Sequence, residues 1–169
     1  MMFSSELNEA ARALLGAMQA QSLQIATAES CTGGLIAALL TEVPGSSAVV
    51  DRGFVTYSND AKHQMLGVPT RLLADHGAVS REVAMAMAEG ALAHASADVS
   101  VAVTGVAGPG GGSPEKPVGL VHIAVARRGT ATLHRECRFG NLDRATIRLR
   151  TVSTALEMAL DIVRASSRT

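Results

Sequence analysis

Aromatic residues are scarce in this sequence of 169 residues, which has no Trp, one Tyr and three Phe. Proteins that bind single-stranded nucleic acid usually stack the bases on several aromatic rings. The 15 basic residues are balanced by 15 acidic residues, so the formal net charge is zero. This balance provides no basic surface for a nucleic-acid backbone or an anionic membrane. We therefore expect neither nucleic acid nor a membrane among the partners.

Cysteine is also rare, and long hydrophobic runs are absent. Cys31 and Cys137 are far apart in the sequence, and no group of Cys and His residues has the spacing of a metal site. No apolar run approaches the ~18 residues of a membrane-spanning helix, and residues 1–7 lack the basic and apolar segments of a signal peptide. We expect a cytoplasmic protein without a metal or other cofactor.

Lysine occurs only at Lys62 and Lys116, and the other 13 basic residues are arginines. A buried lysine can lose its proton and act as a base, whereas arginine stays charged. The chain therefore offers two candidates for a lysine base. From its position alone, Lys62 is predicted to be a solvated residue on a helix.

The composition is 47% hydrophobic and 18% charged, which favours one folded domain over residues 1–169 with a core at about 5–165. Apolar periodicity and turn signals predict the boundaries of the helices and strands. The predicted helices are 3–20, 35–41, a segment around Lys62 and His63, 70–75, 83–95, and a last helix from Asn141 or Asp143 to about 165. The predicted strands are 23–27, 48–57, 99–103, 118–127 and 130–139.

Strands and helices alternate first, and a hairpin turn at Arg128 and Gly129 follows. This order predicts an α/β fold, a three-layer α/β/α single domain with a mixed, partly parallel sheet and a late β-hairpin. Ligands of such sheets bind at the carboxyl ends of the parallel strands. The loops after strands 23–27 and 99–103 should therefore meet in one site.

The first of these loops contains Thr-Ala-Glu-Ser-Cys-Thr-Gly-Gly at residues 27–34 and places Ser30 at a strand-to-helix turn. The free N–H groups of a helix start favour an oxyanion or a phosphate. An ordinary N-cap is the commoner role for such a serine. Cys31 has no recognisable histidine partner, which favours a structural thiol. As a nucleophile, Ser30 needs a base, and both a Ser-His-Asp arrangement and a Ser–Lys pair with Lys62 stay open.

The second loop, residues 104–117, is rich in glycine and proline, which exclude regular structure. It matches neither the P-loop nor the dinucleotide fingerprint, although it could hold a phosphate. Arg144 and Arg148 are four residues apart on one face of the last helix. They could bind a phosphate or pair with acidic residues at the surface.

Several motifs together, in this order, resemble the nicotinamide-nucleotide amidases that match the C-terminal domain of the competence/damage-inducible protein CinA. The resemblance covers about residues 5–165. The matching residues are 27–34, Gly53, Tyr57, Asn59, Lys62, 66–68, 77–80, 104–111, 116–119 and the region of Arg144 and Arg148.

The resemblance implies hydrolysis of nicotinamide mononucleotide to nicotinic acid mononucleotide and ammonia, which recycles pyridine nucleotides. Ser30 would be the nucleophile, Lys62 the base, and Thr104 would bond this pair or the substrate. Tyr57 would lie against the pyridinium ring, and Arg148 with the loop around Gly108 would bind the phosphate. The further residues that it implies for substrate binding are Thr32, Gly33, Gly34, Asn59, Gly105 and Gly110.

Two other functions stay open. One is a non-catalytic module that senses a nucleotide or binds a partner, since family proteins can carry this domain fused to another. The other is a phosphotransferase or pyrophosphatase, which would need carboxylates around Mg²⁺, and Glu29, Asp60 and Glu115 form no such motif. The helix 3–20 and the hairpin edge lead us to expect a homodimer.

Overall fold

Strands and helices alternate through the first part of the chain in the computed structural model, which describes residues 2–165. The helices in this range are α1 (Ser5–Ala20), α2 (Leu35–Glu42), α3 (Asn59–Leu66), α4 (Thr70–His76), α5 (Arg81–Ala93) and α6 (Arg144–Ala165). The strands are β1 (Ile25–Glu29), β2 (Val50–Val55), β3 (Val99–Gly105), β4 (Leu120–Arg127) and β5 (Leu133–Arg138). All of these correspond to segments that the sequence predicts.

The five strands form one sheet in the order β2-β1-β3-β4-β5. β1 pairs in parallel with both neighbours, so that Glu29 lies beside Val55 on one side and Val103 on the other. β4 runs antiparallel to β3 and to β5. The predicted α/β fold with a mixed, partly parallel sheet and a late hairpin is therefore confirmed.

The two faces of the sheet are buried by different helices. Valine and isoleucine side chains of the strands face a core that also contains residues of α1, α2 and α6. The opposite face is lined by alanines such as Ala28 and Ala102, which pack with α5. Because these side chains are short, α5 lies close enough for the Ser100 hydroxyl to donate a hydrogen bond of 2.6 Å to Ala88 O. The arrangement confirms the three predicted layers.

The second strand is shorter than predicted, and this difference shapes the site. Residues Ser46–Ala48 form a 3-10 turn, and β2 ends at Val55 because β1, its pairing partner, ends at Glu29. The Thr56 N–H still donates to Glu29 O at 2.9 Å. Beyond this contact the chain leaves the sheet, and the carbonyls of Thr56 and Tyr57 turn toward α3.

The last helix begins after Asp143, which is one of the two caps expected from the sequence. Asp143 Oδ1 accepts a hydrogen bond of 2.9 Å from the Thr146 N–H, which satisfies one of the free N–H groups of the first turn. Arg144 and Arg148 follow in the first two turns of α6 and reach the end of the sheet where β1 and β3 stop. None of the helices within residues 2–165 is both long and apolar enough to cross a membrane.

Candidate active site

Ser30 lies directly after β1, in the loop of residues 30–34 that leads into α2; we call this segment the Ser30 loop. Its N–H donates to Val103 O at 3.1 Å, and only 8% of the residue is exposed. The N-cap position of α2 is occupied by Gly34, with a φ of 103°. Ser30 is therefore not the N-cap, and the common capping role considered from the sequence is wrong.

Lys62 is buried, although the sequence alone favoured a solvated lysine. Ser58 caps α3 through a hydrogen bond of 3.0 Å from the Ala61 N–H, and the first turn then directs Lys62 inward. Only 1% of Lys62 is exposed. Its Nζ lies 3.0 Å from Ser30 Oγ, 2.9 Å from Thr56 O and 3.4 Å from Tyr57 O.

This environment makes the neutral form of the Lys62 amine accessible at a lower pH than in an exposed lysine. Burial lowers its pKa below the ordinary lysine value, because the charged form loses solvation. A neutral amine has two hydrogens and one lone pair. The hydrogens can be donated to Thr56 O and Tyr57 O, which leaves the lone pair for the hydroxyl hydrogen of Ser30. The geometry therefore suits transfer of a proton from Ser30 to Lys62.

The other nucleophiles and bases considered from the sequence are placed less favourably. Burial raises the pKa of the Cys31 thiol to about 12, so its reactive thiolate is suppressed. His122 and His134 bond each other, with Nδ1 and Nε2 2.9 Å apart. No histidine lies among the described residues that line the cavity beside Ser30.

That cavity has a volume of about 210 Å³ and opens at the carboxyl ends of β1, β2 and β3. It brings together six of the residues expected in the site. These are Ser30, Tyr57, Asn59, Lys62, Thr104 and Gly105. A larger depression of about 630 Å³ lies along the glycine-rich loop and contains Gly110. We place the chemistry in the smaller cavity, because a hydroxyl and a buried amine meet there, whereas no lysine is among the described residues that line the larger depression.

Thr104 lines this cavity but does not bond the Ser30–Lys62 pair. Its hydroxyl donates to Ala78 O at 2.9 Å. This contact connects the end of β3 to the turn before α5, so the expected bond to Ser30 or Lys62 is not formed, and the alternative bond to the substrate stays a prediction. The oxygen of Thr104 keeps a lone pair that can accept a hydrogen bond from a ligand.

Gly105 is required at the end of β3 because the chain of β4 passes very close. A Cβ at this position would lie 2.6 Å from Val121 Cγ2 and 2.8 Å from Leu120 O. Val103 O accepts from Ser30 N, whereas Val106 N donates to Leu120 O. Since backbone groups alternate in direction along a strand, the Gly105 N–H faces the Ser30 loop.

Arg144 and Arg148, both in α6, have different partners. Arg144 donates to Gly108 O at 2.8 Å and to the Tyr57 hydroxyl at 3.0 Å, and it lines the cavity. Arg148 donates from Nε to Cys31 O and from Nη2 to Thr32 O, each at 3.1 Å. The sequence had assigned Arg148 to a phosphate together with the loop around Gly108, but Arg144 is the arginine that contacts this loop.

Sequence reasoning missed the role of Glu29. Its carboxylate is fully buried and accepts hydrogen bonds from Thr32 Oγ1, Ile36 N and Ala37 N. The signal was available, because an acidic residue at the end of an apolar strand, just before a helix, can bind the free N–H groups of that helix. Thr32, Gly33 and Gly34 shape the Ser30 loop and are not part of the cavity wall.

Known proteins of several bacteria are similar to this chain. An Escherichia coli protein named nicotinamide-nucleotide amidohydrolase PncC is 49% identical over 157 residues, which cover 92% of this chain and 94% of the relative. A CinA-like protein of Akkermansia muciniphila is 55% identical over 141 residues, or 83% of this chain. The match spans only 34% of that relative, so this chain corresponds to about a third of the length of such proteins.

Solved structures show the same fold. The crystal structure of a competence/damage inducible protein from Agrobacterium tumefaciens has a TM-score of 0.92 and 58% identity, and the match covers 94% of this chain and 98% of that one. A CinA superfamily protein of Klebsiella pneumoniae gives 0.89 and 34%, with 94% and 98% covered. The family model described as CinA C-terminal domain matches residues 7–163. The chain therefore belongs to the CinA C-terminal domain family.

Proposed function

We propose that this protein hydrolyses the carboxamide of nicotinamide mononucleotide and releases nicotinic acid mononucleotide and ammonia. The observation that carries the proposal is the contact of 3.0 Å between Ser30 Oγ and the buried Nζ of Lys62. The similarity to the E. coli nicotinamide-nucleotide amidohydrolase over nearly the whole length of both chains supports the substrate. The product is an intermediate that pyridine-nucleotide synthesis can use again.

In the proposed mechanism, neutral Lys62 accepts the hydroxyl proton while Ser30 Oγ attacks the amide carbon. The carbonyl oxygen becomes an oxyanion, which the Gly105 N–H can stabilise because it faces the Ser30 loop. Collapse of this intermediate breaks the C–N bond, and the ammonium of Lys62 returns its proton to the departing nitrogen. Ammonia leaves, and the acyl group stays bound to Ser30 as an ester.

Water then hydrolyses the ester by equivalent steps, with water as the nucleophile and the Ser30 oxygen as the leaving group. Lys62 is neutral again after ammonia has left, so it can take a proton from the attacking water. The second oxyanion collapses with loss of the Ser30 oxygen, which regains its proton from Lys62. One water is consumed for each ammonia released, and the enzyme returns to its starting protonation state.

Binding of the nucleotide is assigned to the residues at the mouth of the cavity. Tyr57 is 62% exposed there, and an electron-rich ring attracts a pyridinium cation. Arg144, which bonds Gly108 O and the Tyr57 hydroxyl, is our choice for the phosphate. It replaces Arg148 in this role, since Arg148 donates to two carbonyls of the Ser30 loop.

The test is ammonia release from nicotinamide mononucleotide by purified protein with a metal chelator present. We expect turnover of the mononucleotide and a kcat/KM for free nicotinamide lower by about 100-fold or more, because binding of the remote phosphate normally helps to orient the reacting carbon. Ser30→Ala protein from the same purification controls for a contaminating amidase.

Other outcomes of this assay would contradict the proposal. Binding of the mononucleotide without ammonia release would favour a nucleotide-sensing module. Activity that needs Mg²⁺ and cleaves the phosphate would favour a phosphotransferase or pyrophosphatase. Equal efficiency on nicotinamide and its mononucleotide would remove the reason for a phosphate site.

A further inference from the structure

We propose that Glu29 and Arg148 are positioning residues that hold the Ser30 loop from opposite sides and thereby align Ser30 with Lys62. The inference rests on the amidase function proposed above. Neither residue lines the cavity, so each would act on the reaction through the backbone of the loop and not through contact with the substrate.

Glu29 holds the loop from the side of the sheet. Its carboxylate accepts hydrogen bonds from Thr32 Oγ1 at 2.7 Å, from Ile36 N at 2.8 Å and from Ala37 N at 3.0 Å. Ile36 and Ala37 carry two of the free N–H groups in the first turn of α2, which a side chain at the N-cap would normally satisfy. Gly34 has no such side chain, so Glu29 takes its place from the strand before the loop.

Arg148 holds the same loop from α6. Two of its nitrogens donate to consecutive carbonyls, Nε to Cys31 O and Nη2 to Thr32 O. Thr32 is therefore fixed at both ends, because its hydroxyl donates to Glu29 while its carbonyl accepts from Arg148. A planar guanidinium can make two such bonds in a fixed geometry, which the single ammonium of a lysine cannot reproduce.

These contacts determine the orientation of the peptide groups next to Ser30. In a planar trans peptide the C=O and the following N–H point in opposite directions. With Thr32 O directed at Arg148, the Gly33 N–H turns away from α6, and it donates to Ser30 O at 3.0 Å. The Ser30 backbone is thus fixed on both sides, by Gly33 and by Val103, and its hydroxyl is directed at Lys62.

A phosphate ligand and a positioning residue differ in what their replacement changes. Loss of a phosphate contact weakens binding of phosphate-bearing ligands. Loss of alignment slows the chemical step with little effect on binding, and a displacement of about 1 Å can cost on the order of 100-fold in rate. The ratio of the effects on kcat and KM therefore separates the two roles for Arg148.

The first experiment compares Arg148→Lys with Arg150→Lys, a matched control because Arg150 is exposed on the same helix. With nicotinamide mononucleotide we expect Arg148→Lys to lower kcat by about 10- to 100-fold, with KM and the inhibition constant of ribose 5-phosphate unchanged. Arg150→Lys should match the wild type. A higher KM and inhibition constant at normal kcat would make Arg148 a phosphate ligand and overturn the proposal.

The second experiment addresses Glu29. In Glu29→Gln an amide NH₂ replaces one acceptor oxygen and faces a donor, so kcat should fall, whereas Glu42→Gln at the exposed end of α2 should have no effect. Because Glu29→Gln is buried and can fail to fold, Thr32→Val provides a milder change that removes only the hydroxyl donor. Thr32→Ser keeps that hydroxyl and should be less impaired in kcat than Thr32→Val.

Labelling of Ser30 by a fluorophosphonate keeps this test separate from the amidase proposal. Ser30 Oγ displaces fluoride from phosphorus and its proton passes to Lys62, so the rate reports alignment without any nucleotide. Slower labelling of Arg148→Lys and Thr32→Val supports the inference even if no amide is hydrolysed. Labelling of these two variants at the wild-type rate would overturn the inference. A wild-type protein that is neither labelled nor releases ammonia would overturn it as well, since no reactive serine would then be aligned.

Discussion

Lys62 has three polar neighbours and almost no contact with solvent, and this combination is the main chemical feature of the site. Burial penalises its ammonium form and lowers its pKa. The neighbours are two carbonyl oxygens and a hydroxyl, and no carboxylate among the described residues bonds to Nζ. The neutral amine is therefore favoured at a lower pH than for an exposed lysine, and it is the form that can accept the proton of Ser30.

The proposed mechanism predicts a particular pH dependence. Because the base is the deprotonated form of Lys62, kcat/KM for nicotinamide mononucleotide should rise with pH and reach a plateau above its pKa. The midpoint should lie below the ordinary lysine value of about 10.4, since burial lowers the pKa. The measurement is kcat/KM from ammonia release over a series of buffers.

A control for this profile is the variant His122→Gln, because burial lowers the pKa of His122 as well. His122 bonds His134 and lies outside the cavity wall. We expect the rising limb to stay at the same pH in this variant. A midpoint that moves with the histidine would contradict the assignment of the limb to Lys62.

Helix α3 is the element that carries Lys62, and its position depends on close packing against α5. At Gly90, in α5, an added Cβ would lie only 2.0 Å from the Leu66 carbonyl oxygen at the end of α3. The neighbouring atom belongs to the backbone, so it cannot turn away as the end of a flexible side chain could. Glycine at this position allows the two helices to approach each other.

Two glycines in helices allow a matched test of this packing. Gly90→Ala should lower the free energy of unfolding by about 1–3 kcal/mol through overpacking and should also lower kcat, because α3 must move away from α5 and Lys62 moves with it. Gly16→Ala in α1, where a Cβ would meet nothing within 4 Å, should raise the stability by about 0.5–1 kcal/mol and leave kcat unchanged. Urea unfolding and ammonia release provide the two measurements.

If Gly90→Ala were as stable and as active as Gly16→Ala, the contact between α3 and α5 would not determine the position of Lys62. A loss of stability without a loss of kcat would separate packing from catalysis at this contact.

In the whole molecule, the parallel half of the sheet brings the residues of the site together. Ser30 follows β1, Thr56 and Tyr57 follow β2, and Thr104 and Gly105 lie at the end of β3. Because these strands are parallel neighbours, their carboxyl ends meet at one edge. α3 and α6 then add Lys62 and Arg144 from outside the sheet.

Much of this arrangement follows from the sequence. The order of strands and helices predicted a mixed sheet with the Ser30 and Thr104 loops at one edge, and both residues line the same cavity. The burial of the Lys62 amine could not be predicted from its surroundings, because the buried Leu66 on the same face of α3 is equally compatible with a lysine whose amine reaches solvent. It is buried because the chain after β2 passes over it, and this path depends on tertiary structure.

The roles of the charged residues around the loop were harder to predict for a similar reason. Spacing places Arg144 and Arg148 on one face of a helix, but it does not say which carbonyls each one meets. Those carbonyls belong to Gly108, Cys31 and Thr32, whose directions are set by the conformations of two glycine-containing loops. Such contacts are defined only when the helix and both loops have been assembled.

The central claim is that Ser30 and Lys62 act as one catalytic unit, and the most direct measurement is ammonia release by Ser30→Ala, Lys62→Arg and the double variant. Each single change should abolish most of kcat, since a guanidinium cannot accept the proton. The double variant should be little worse than either, because residues that act as a unit give non-additive losses. Circular dichroism would confirm folding. Near-normal kcat in Lys62→Arg would contradict the account, and a folded, inactive histidine variant would then favour a serine–histidine mechanism.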